Sequence, residues 1–422
     1  MRILLLSNLY PPHVEGGAEI LARDIAGSLE KLGHEVLVLT SWYGLSKAQQ
    51  DGQVWRTLRT VMSAHFDRRR SIWQQFSKLN NYYRDYHNAA NAQELQRVIA
   101  ATRPDALYIW EVNGIGINSL LSVLPTLTIP IVFHLGSYWF PYALSPETEQ
   151  SNLRLRWFKQ LLIGRVPSLT YTSLIGVSET VKQKYVKVGC DPQRFEVIYN
   201  GIDARFLDLP RSEKEEESSH SKQLLFVGRL RAEKGILVIL KALNILTNER
   251  QRTDLHLNIF GDGDEVYINE LQAFIQEKRL TGAVTFHGKV PQDELLAYYD
   301  RSHIMLVPSL WQEPFGLVIA EAMARGLPVI ASDVGGPAEI ITHGVDGLLV
   351  APGDEHVLVS AMSRLLEDAN ECQHLSEAAL ITVRERFTIE GNAKRVEQHL
   401  LHALHGELAN SGMVEVGITS AH

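Results

Sequence analysis

Two glutamates eight residues apart, Glu313 and Glu321, flank a predicted helix start and are the first candidates for chemistry. Pro314 keeps the backbone of Glu313 extended, so its carboxylate lies at the mouth of the helix. Gly316 follows, and because it has no Cβ an anion can approach the N–H groups at the positive end of the helix. Carboxylates only accept hydrogen bonds, so this arrangement predicts a ligand with both phosphate and hydroxyl groups, such as a nucleotide sugar.

A pair of carboxylates is also what glycoside hydrolysis uses, with one residue as general acid and the other as nucleophile. The sequence places Glu313 in a loop and Glu321 inside the helix, with the phosphate-ready amides between them. This order favours hydroxyl-binding roles on either side of a diphosphate.

Cations suited to that diphosphate occur in residues 228–235, GRLRAEKG, which follow an apolar run. When the bond between a sugar and a nucleoside diphosphate breaks, negative charge grows on the leaving phosphate, and fixed cations stabilise that charge. Arg229 offers planar bidentate donors and Lys234 a point charge. An Arg and a Lys at this spacing are ordinarily solvated, so the interpretation depends on their place at a strand end between glycines.

Three further candidates lie in the first half of the chain. Gly16 and Gly17 form a double glycine at a helix entrance, where N–H groups can meet a diphosphate, although most glycine pairs are simple turns. His134 comes at the carboxyl end of a predicted strand, where open α/β sheets bind their ligands. A packed core histidine is the commoner interpretation of such a residue.

Alternating strand and helix patterns must position these candidates. The strand-like apolar runs are residues 1–7, 35–40, 106–110, 129–133, 174–178, 195–198, 224–227, 255–260, 284–286, 303–307, 328–331 and 348–350. Such alternation predicts parallel sheets covered by helices on both faces. The expected fold is therefore α/β, with two Rossmann-like domains whose sheets face a cleft.

The domain boundaries follow from changes in composition. The predicted domains are residues 1–205 and 223–385, joined by the charged, aperiodic linker 206–222. A helix at 386–405 follows, and residues 406–422 are predicted to form a frayed tail.

Composition limits the class of protein. A content of 45% apolar and 21% charged residues is typical of soluble globular proteins, and the net charge of -8 argues against general nucleic-acid binding. Two isolated cysteines favour a reducing compartment, and we expect neither a secretory signal nor a membrane span. These features predict a cytoplasmic protein. The basic amphipathic segment 151–165 has two interpretations. It is an ordinary surface helix, or it contacts the inner face of the membrane peripherally.

The string EPFGLVIAEAMARGLPVIASDVGG, residues 313–336, closely resembles the signature of retaining glycosyltransferases of family four, in which Glu313 and Glu321 form the E-x7-E pair. Residues 228–235 resemble the G-R-x4-K-G pattern of the same family. The resemblance covers nearly the whole chain and is strongest from 224 to 353. It implies the GT-B fold, in which a C-terminal helix crosses back to the N-terminal domain.

The resemblance also implies a role for each matching residue. Glu313 would hold sugar hydroxyl groups, Glu321 the ribose diol, and His134 the transferred sugar. Backbone atoms near Val290 would read the nucleobase. The diphosphate and sugar would be contacted by the loop glycines and the helix start, which are Gly16, Gly17, Phe315, Gly316 and Leu317.

The implied reaction moves a hexose-type sugar from a nucleoside diphosphate sugar to a hydroxyl of a saccharide, lipid-linked or small-molecule acceptor, with retained configuration. No metal or other cofactor is expected, since Arg229 and Lys234 supply the charge and no D-x-D motif with a ligand cluster follows. The alternatives are an epimerase or phosphorylase of the same fold, or a non-catalytic nucleotide-sugar-binding subunit. The presence of all the charged candidates favours an enzyme over that subunit.

Overall fold

A computed structural model of the chain describes residues 1–60, 83, 86–144, 168–208, 221–406 and 413–416. The predicted basic segment 151–165 lies outside the described residues, as do residues 209–220 of the predicted linker and most of the predicted tail. The chain divides into two compact units, one formed by Met1–Tyr199 with Ile389–His422 and the other by Asn200–Thr388.

The first unit is built on a mainly parallel sheet. Its strands are β1 (Arg2–Ser7), β2 (Glu35–Ser41), β3 (Gln49–Asp51), β4 (Val54–Leu58), β5 (Ala106–Glu111), β6 (Ile131–Leu135), β7 (Leu169–Tyr171), β8 (Ser173–Gly176) and β9 (Phe195–Val197). Eight described strands form one sheet in the order β3-β4-β2-β1-β5-β6-β8-β9, in which only the described pair β3–β4 is antiparallel. Its helices are α1 (Gly17–Lys31), α2 (Ala89–Thr102), α3 (Ile117–Leu121), α4 (Trp139–Leu144) and α5 (Glu179–Lys187).

The apolar runs of the sequence explain these elements. Residues Ile3, Leu4, Leu5 and Leu6 of β1 are fully buried, as a strand covered on both faces requires. The helical spacing of Leu21, Ile25 and Leu29 places the buried side chains on one face of α1.

The second unit carries a parallel sheet of six described strands in the order β12-β11-β10-β13-β14-β15. These strands are β10 (Lys222–Val227), β11 (Leu255–Phe260), β12 (Val284–Gly288), β13 (Ile304–Val307), β14 (Val329–Ser332) and β15 (Leu348–Val350). The helices are α6 (Arg205–Asp208), α7 (Ile236–Asn244), α8 (Glu265–Glu277), α9 (Gln292–Arg301), α10 (Leu317–Ala324), α11 (Pro337–Ile340), α12 (Glu355–Glu367) and α13 (Ala369–Arg386). The strand order reverses direction between β10 and β13, and open α/β sheets bind ligands outside such a point.

The chain then returns to the first unit. Its last long helix, α14 (Ile389–His405), packs against α1. Glu196 at the sheet edge accepts from Arg395 Nη2 at 3.1 Å and lies 2.8 Å from His399 Nδ1. In the segment predicted as a tail, β16 (Val414–Val416) pairs with β7.

The predicted α/β class, with parallel sheets in two domains and a returning C-terminal helix, is confirmed. In the part of the chain that the structure describes, no helix is both long enough and apolar enough to cross a bilayer.

Candidate functional site

The loops that follow β10 and β13 lie side by side at the carboxyl edge of the second sheet. The N–H of Leu310 donates to the carbonyl of Glu233 at 2.8 Å. Gly235 has a φ of +73°, and a Cβ at this position would lie 1.9 Å from the carbonyl oxygen of Pro308. Only glycine therefore allows the two loops to approach this closely.

Lys234 and Glu313, which the sequence places 79 residues apart, meet across these loops. Lys234 Nζ lies 2.9 Å from Glu313 Oε1, and the two side chains are 23% and 6% exposed. The hydroxyl of Ser309 donates to the same Oε1. Both contacts fall on one carboxylate oxygen, so neither of them occupies Oε2.

Trp311 covers the cation of this pair. Lys234 Nζ lies 5.8 Å from the centre of the Trp311 ring, within the range of a cation–π contact. A buried carboxylate needs a compensating charge, and Lys234 provides it where a diphosphate is also expected.

A glycine pair after β14 holds the Glu313 loop from the other side. Gly336 donates its N–H to the Glu313 carbonyl at 2.8 Å. A Cβ at Gly335 would lie 2.7 Å from Glu313 N, and one at Gly336 would lie 2.2 Å from the Phe315 carbonyl oxygen. These glycines belong to the signature string, but sequence reasoning assigned them no role.

The start of α10 is shaped for an anion. Gly316 caps the helix with a φ of +110°, a left-handed conformation that favours glycine, and Leu317 is the first helical residue. Phe315 is buried, and its ring meets Phe387 edge to face at 5.8 Å. Because the first N–H groups of a helix have no intrahelical partners, this end of α10 suits an anion.

Glu321 lies one turn farther along α10 and is half-buried. Tyr299 of α9 donates its hydroxyl to Glu321 Oε2 at 2.8 Å. Burial raises the pKa of Glu321 to about 7, the Tyr299 hydrogen bond opposes this rise, and the charge of Asp203 adds to it. Sequence reasoning missed Tyr299, because a tyrosine on the apolar side of a helix looks like an ordinary core residue.

Arg229 and Val290 lie at the same edge of the sheet. Arg229 follows β10 and Val290 follows β12. The loop after β10, which contains Arg229, packs closely against the loop after β11. A Cβ at Gly261 would lie 1.9 Å from the carbonyl oxygen of Gly228. The structure therefore groups Arg229, Val290 and the Lys234–Glu313 pair at one end of the second unit.

His134, in the first unit, is fully buried near the end of β6. Its Nδ1 lies 2.5 Å from the hydroxyl of Tyr108, and its ring centre lies 4.0 Å from that of Trp110. Burial, with a smaller contribution from His399, lowers the pKa of His134 to about 3, so the imidazole is neutral at physiological pH. Nε2 has no hydrogen-bond partner among the described residues.

Gly16 and Gly17 also belong to the first unit, where they begin α1. The Gly16 N–H donates to Glu19 Oε2 at 2.9 Å, which closes the first turn. Arg56, which sequence reasoning missed, is buried and donates from Nη1 to the Tyr10 carbonyl at 3.0 Å and from Nη2 to the Pro11 carbonyl. It thereby anchors the loop that leads to the glycine pair.

Comparison with known proteins gives two family matches. The profile described as Glycosyltransferase Family 4 matches residues 15–206, and the one described as Glycosyl transferases group 1 matches residues 210–381. The chain is similar to an uncharacterized glycosyltransferase of Methanocaldococcus jannaschii, with 27% identity over 93% of this chain and 96% of that protein. A glycogen synthase of Mycobacterium tuberculosis is 25% identical over 96% of each chain.

Among solved structures, HepE of Anabaena in complex with UDP superposes with a TM-score of 0.69 at 22% identity, covering 95% of this chain and 100% of that one. This likeness confirms the predicted GT-B fold.

Proposed function

Because the chain belongs to the group 1, family-four glycosyltransferases, we propose that it transfers a hexose-type sugar from a nucleoside diphosphate sugar to an acceptor hydroxyl group, with retention of configuration. The observation that carries the proposal is the Lys234–Glu313 pair. It combines a cation for a diphosphate with an acceptor for sugar hydroxyls, next to the open helix start at Gly316.

The donor is the best supported part of the substrate. HepE of Anabaena has been crystallised with UDP and with UDP-glucose. A nucleoside diphosphate hexose fits the order of groups along the second unit, from Glu313 for the sugar to Glu321 for the ribose. Backbone atoms near Val290 would then read the base, and the amides of residues 315–317 would contact the diphosphate.

In the proposed reaction, the acceptor oxygen attacks the anomeric carbon on the face from which the diphosphate leaves. The bond between that carbon and the diphosphate oxygen breaks, its electron pair stays on the diphosphate, and the acceptor proton passes to the leaving phosphate. Arg229 and Lys234 stabilise the charge that grows there, so the proposal includes no metal or other cofactor.

The first unit would contribute the remaining contacts. Gly16 and Gly17 would present N–H groups to the donor phosphates. Since Nδ1 of His134 is engaged by Tyr108, Nε2 is the nitrogen that would face a sugar hydroxyl. We further propose that the acceptor is a saccharide, a lipid-linked sugar or a small molecule in cytoplasmic polysaccharide or glycolipid biosynthesis.

A donor screen tests this function. The purified protein is incubated with nucleoside diphosphate sugars and with oligosaccharide or lipid acceptors, and release of nucleoside diphosphate is followed. We expect acceptor-dependent release, a product heavier by one sugar residue, and an NMR coupling that shows the donor's anomeric configuration in the product.

Other outcomes would point to the alternatives. Interconversion of free sugar nucleotides would indicate an epimerase, and dependence on inorganic phosphate would indicate a phosphorylase. Tight binding of a nucleotide sugar without release of nucleoside diphosphate would indicate a non-catalytic subunit.

A further inference from the structure

Glu321 is held by a neighbour that the family signature does not contain. The hydroxyl of Tyr299, which lies on α9, donates to Glu321 Oε2 at 2.8 Å. Tyr299 is 1% exposed, and its ring packs edge to face on Phe206 with 5.8 Å between the centres. A tyrosine fixed in this way can direct its hydroxyl to only a narrow range of positions.

The next residue of α9, Asp300, forms a second contact between α9 and α10, at the C-terminal end of α10. Asp300 accepts from Arg325 Nε at 2.7 Å and from Nη2 at 2.8 Å, and both side chains are buried. Arg325 follows Glu321 by four residues, which is about one helical turn. The bidentate pair therefore fixes the distance and rotation between α9 and α10, so Tyr299 donates from a rigid frame.

One carboxylate oxygen of Glu321 therefore already accepts a hydrogen bond from within the protein. An ionised carboxylate has two oxygens that only accept hydrogen bonds. With Oε2 taken by Tyr299, Oε1 is the oxygen that this contact leaves for a ligand. A vicinal diol offers two donors close together, and a carboxylate that cannot rotate meets them without losing further conformational freedom.

We propose that Tyr299 is a positioning residue of the donor site: its hydroxyl orients the carboxylate of Glu321 so that the enzyme recognises the ribose diol of the nucleotide. The inference rests on the proposed function, since it takes the donor to be a nucleoside diphosphate sugar. It adds a residue that does not touch the donor but determines how strongly a ribose is preferred to a 2′-deoxyribose.

Tyr299→Phe is the test variant, because it keeps the ring against Phe206 and removes only the hydroxyl. The probes are the nucleoside diphosphate sugar found in the donor screen and the same molecule with 2′-deoxyribose. For the wild type, we expect the deoxy donor to have a KM about 10- to 100-fold higher, the usual cost of losing a hydrogen bond to a charged group.

In Tyr299→Phe, we expect the KM of the ribose donor to rise about 10-fold while kcat stays within about 3-fold, because the reacting atoms are elsewhere. The KM of the deoxy donor should change much less, so the preference for ribose shrinks. The pH profile should also move. Since the Tyr299 hydrogen bond lowers the pKa of Glu321, its loss shifts the midpoint of the KM profile to higher pH.

Tyr298→Phe is the matched control, because it removes a hydroxyl from the neighbouring position of α9. The Tyr298 ring lies against Phe260 and His287, with centres 4.4 and 5.0 Å away. This variant should keep the wild-type preference for ribose and the wild-type pH midpoint. If it changes both as Tyr299→Phe does, the effect is a general loosening of α9 and the positioning role is wrong.

The results separate this inference from the function on which it rests. A wild type that does not distinguish the two donors would overturn the assignment of Glu321 to the ribose, and the positioning role with it. A wild type that does distinguish them, with Tyr299→Phe keeping the full preference, would overturn the role of Tyr299 alone. Thermal unfolding of each variant confirms that the comparison is made between folded proteins.

Discussion

Replacing Lys234 by alanine is expected to lower both the stability of the protein and its turnover, for two different reasons. The sequence alone predicts a diphosphate-binding lysine whose loss would lower turnover and leave the fold intact. In the structure, Lys234 Nζ lies 2.9 Å from Oε1 of a carboxylate whose side chain is only 6% exposed. The variant therefore leaves Glu313 buried beside Ser309 with no cation.

The size of the stability loss follows from this burial. Removing one partner of a fully buried ion pair costs about 3–5 kcal/mol. Lys234 is 23% exposed and Ser309 still donates to Glu313, so the expected loss is smaller, about 1–3 kcal/mol. Turnover should fall about 10²- to 10³-fold, because a fixed charge at the leaving phosphate is lost.

Denaturant unfolding and release of nucleoside diphosphate measure the two effects separately. Adding Glu313→Gln to Lys234→Ala removes the unpaired charge and should restore part of the stability while turnover stays low. Lys241→Ala is the control, since its ion pair with Glu355 spans 3.5 Å and the lysine is 44% exposed. It should cost at most about 1 kcal/mol and leave turnover unchanged.

Two results would refute this reasoning. Lys234→Ala with turnover within about 3-fold of the wild type would remove the lysine from the leaving-group site. A stability no lower than that of Lys241→Ala would mean that Glu313 does not depend on the lysine in solution.

Three further predictions concern other parts of the site. Gly336→Ala should lower turnover and melting temperature, because its Cβ would lie 2.2 Å from the Phe315 carbonyl oxygen and must displace the Glu313 loop; unchanged kinetics would contradict this packing. Donor KM should fall as the pH rises through about 7, as Glu321 ionises, and a flat profile in steady-state kinetics would be the contrary result. The folded protein keeps His134 neutral down to a pKa of about 3, whereas the unfolded chain binds a proton below about 6.5. His134 should therefore contribute a fall of about 1.4 kcal/mol per pH unit to the free energy of unfolding as the pH drops from about 6.5 toward 3, and urea titrations of His134→Gln should lack this contribution.

Most of the fold could be predicted because its strands are apolar runs separated by helical patterns. All strands of the second sheet match predicted runs within one or two residues, for example β13 at Ile304–Val307 against the predicted 303–307. One strand that was not predicted lacks that signal. Gln49–Asp51 is exposed and polar, and it joins the sheet only because its backbone pairs with β4.

The candidate site could be predicted in its parts but not in its contacts. The sequence predicts that Glu313 and Lys234 bind different groups of the donor, since no spacing in the sequence shows that β10 and β13 become neighbours. The roles of Ser309 and Tyr299 depend on that same strand order and on the approach of α9 to α10. Side chains that act through another residue leave no local pattern, so only the structure identifies them.

The sequence offers two interpretations of His134, a packed core histidine and a histidine that faces the sugar. Its buried, neutral ring packed on Trp110 is that of a core histidine. The Nε2 atom, which lacks a partner among the described residues, is also what a sugar-facing histidine requires. The structure thus shows a core histidine, and the contact of its buried Nε2 with a sugar stays a prediction.

The return of α14 to the first unit has a consequence for synthesis on the ribosome. The first 199 residues emerge from the ribosome early. Their packing is completed by Val396, Leu400 and Ala403 of α14, and this helix is made only after the whole second unit. Until then the α1 surface that α14 covers remains bare to solvent or to chaperones. The amino-terminal half of this protein is therefore made first but completes its packing last, once α14 has been synthesised.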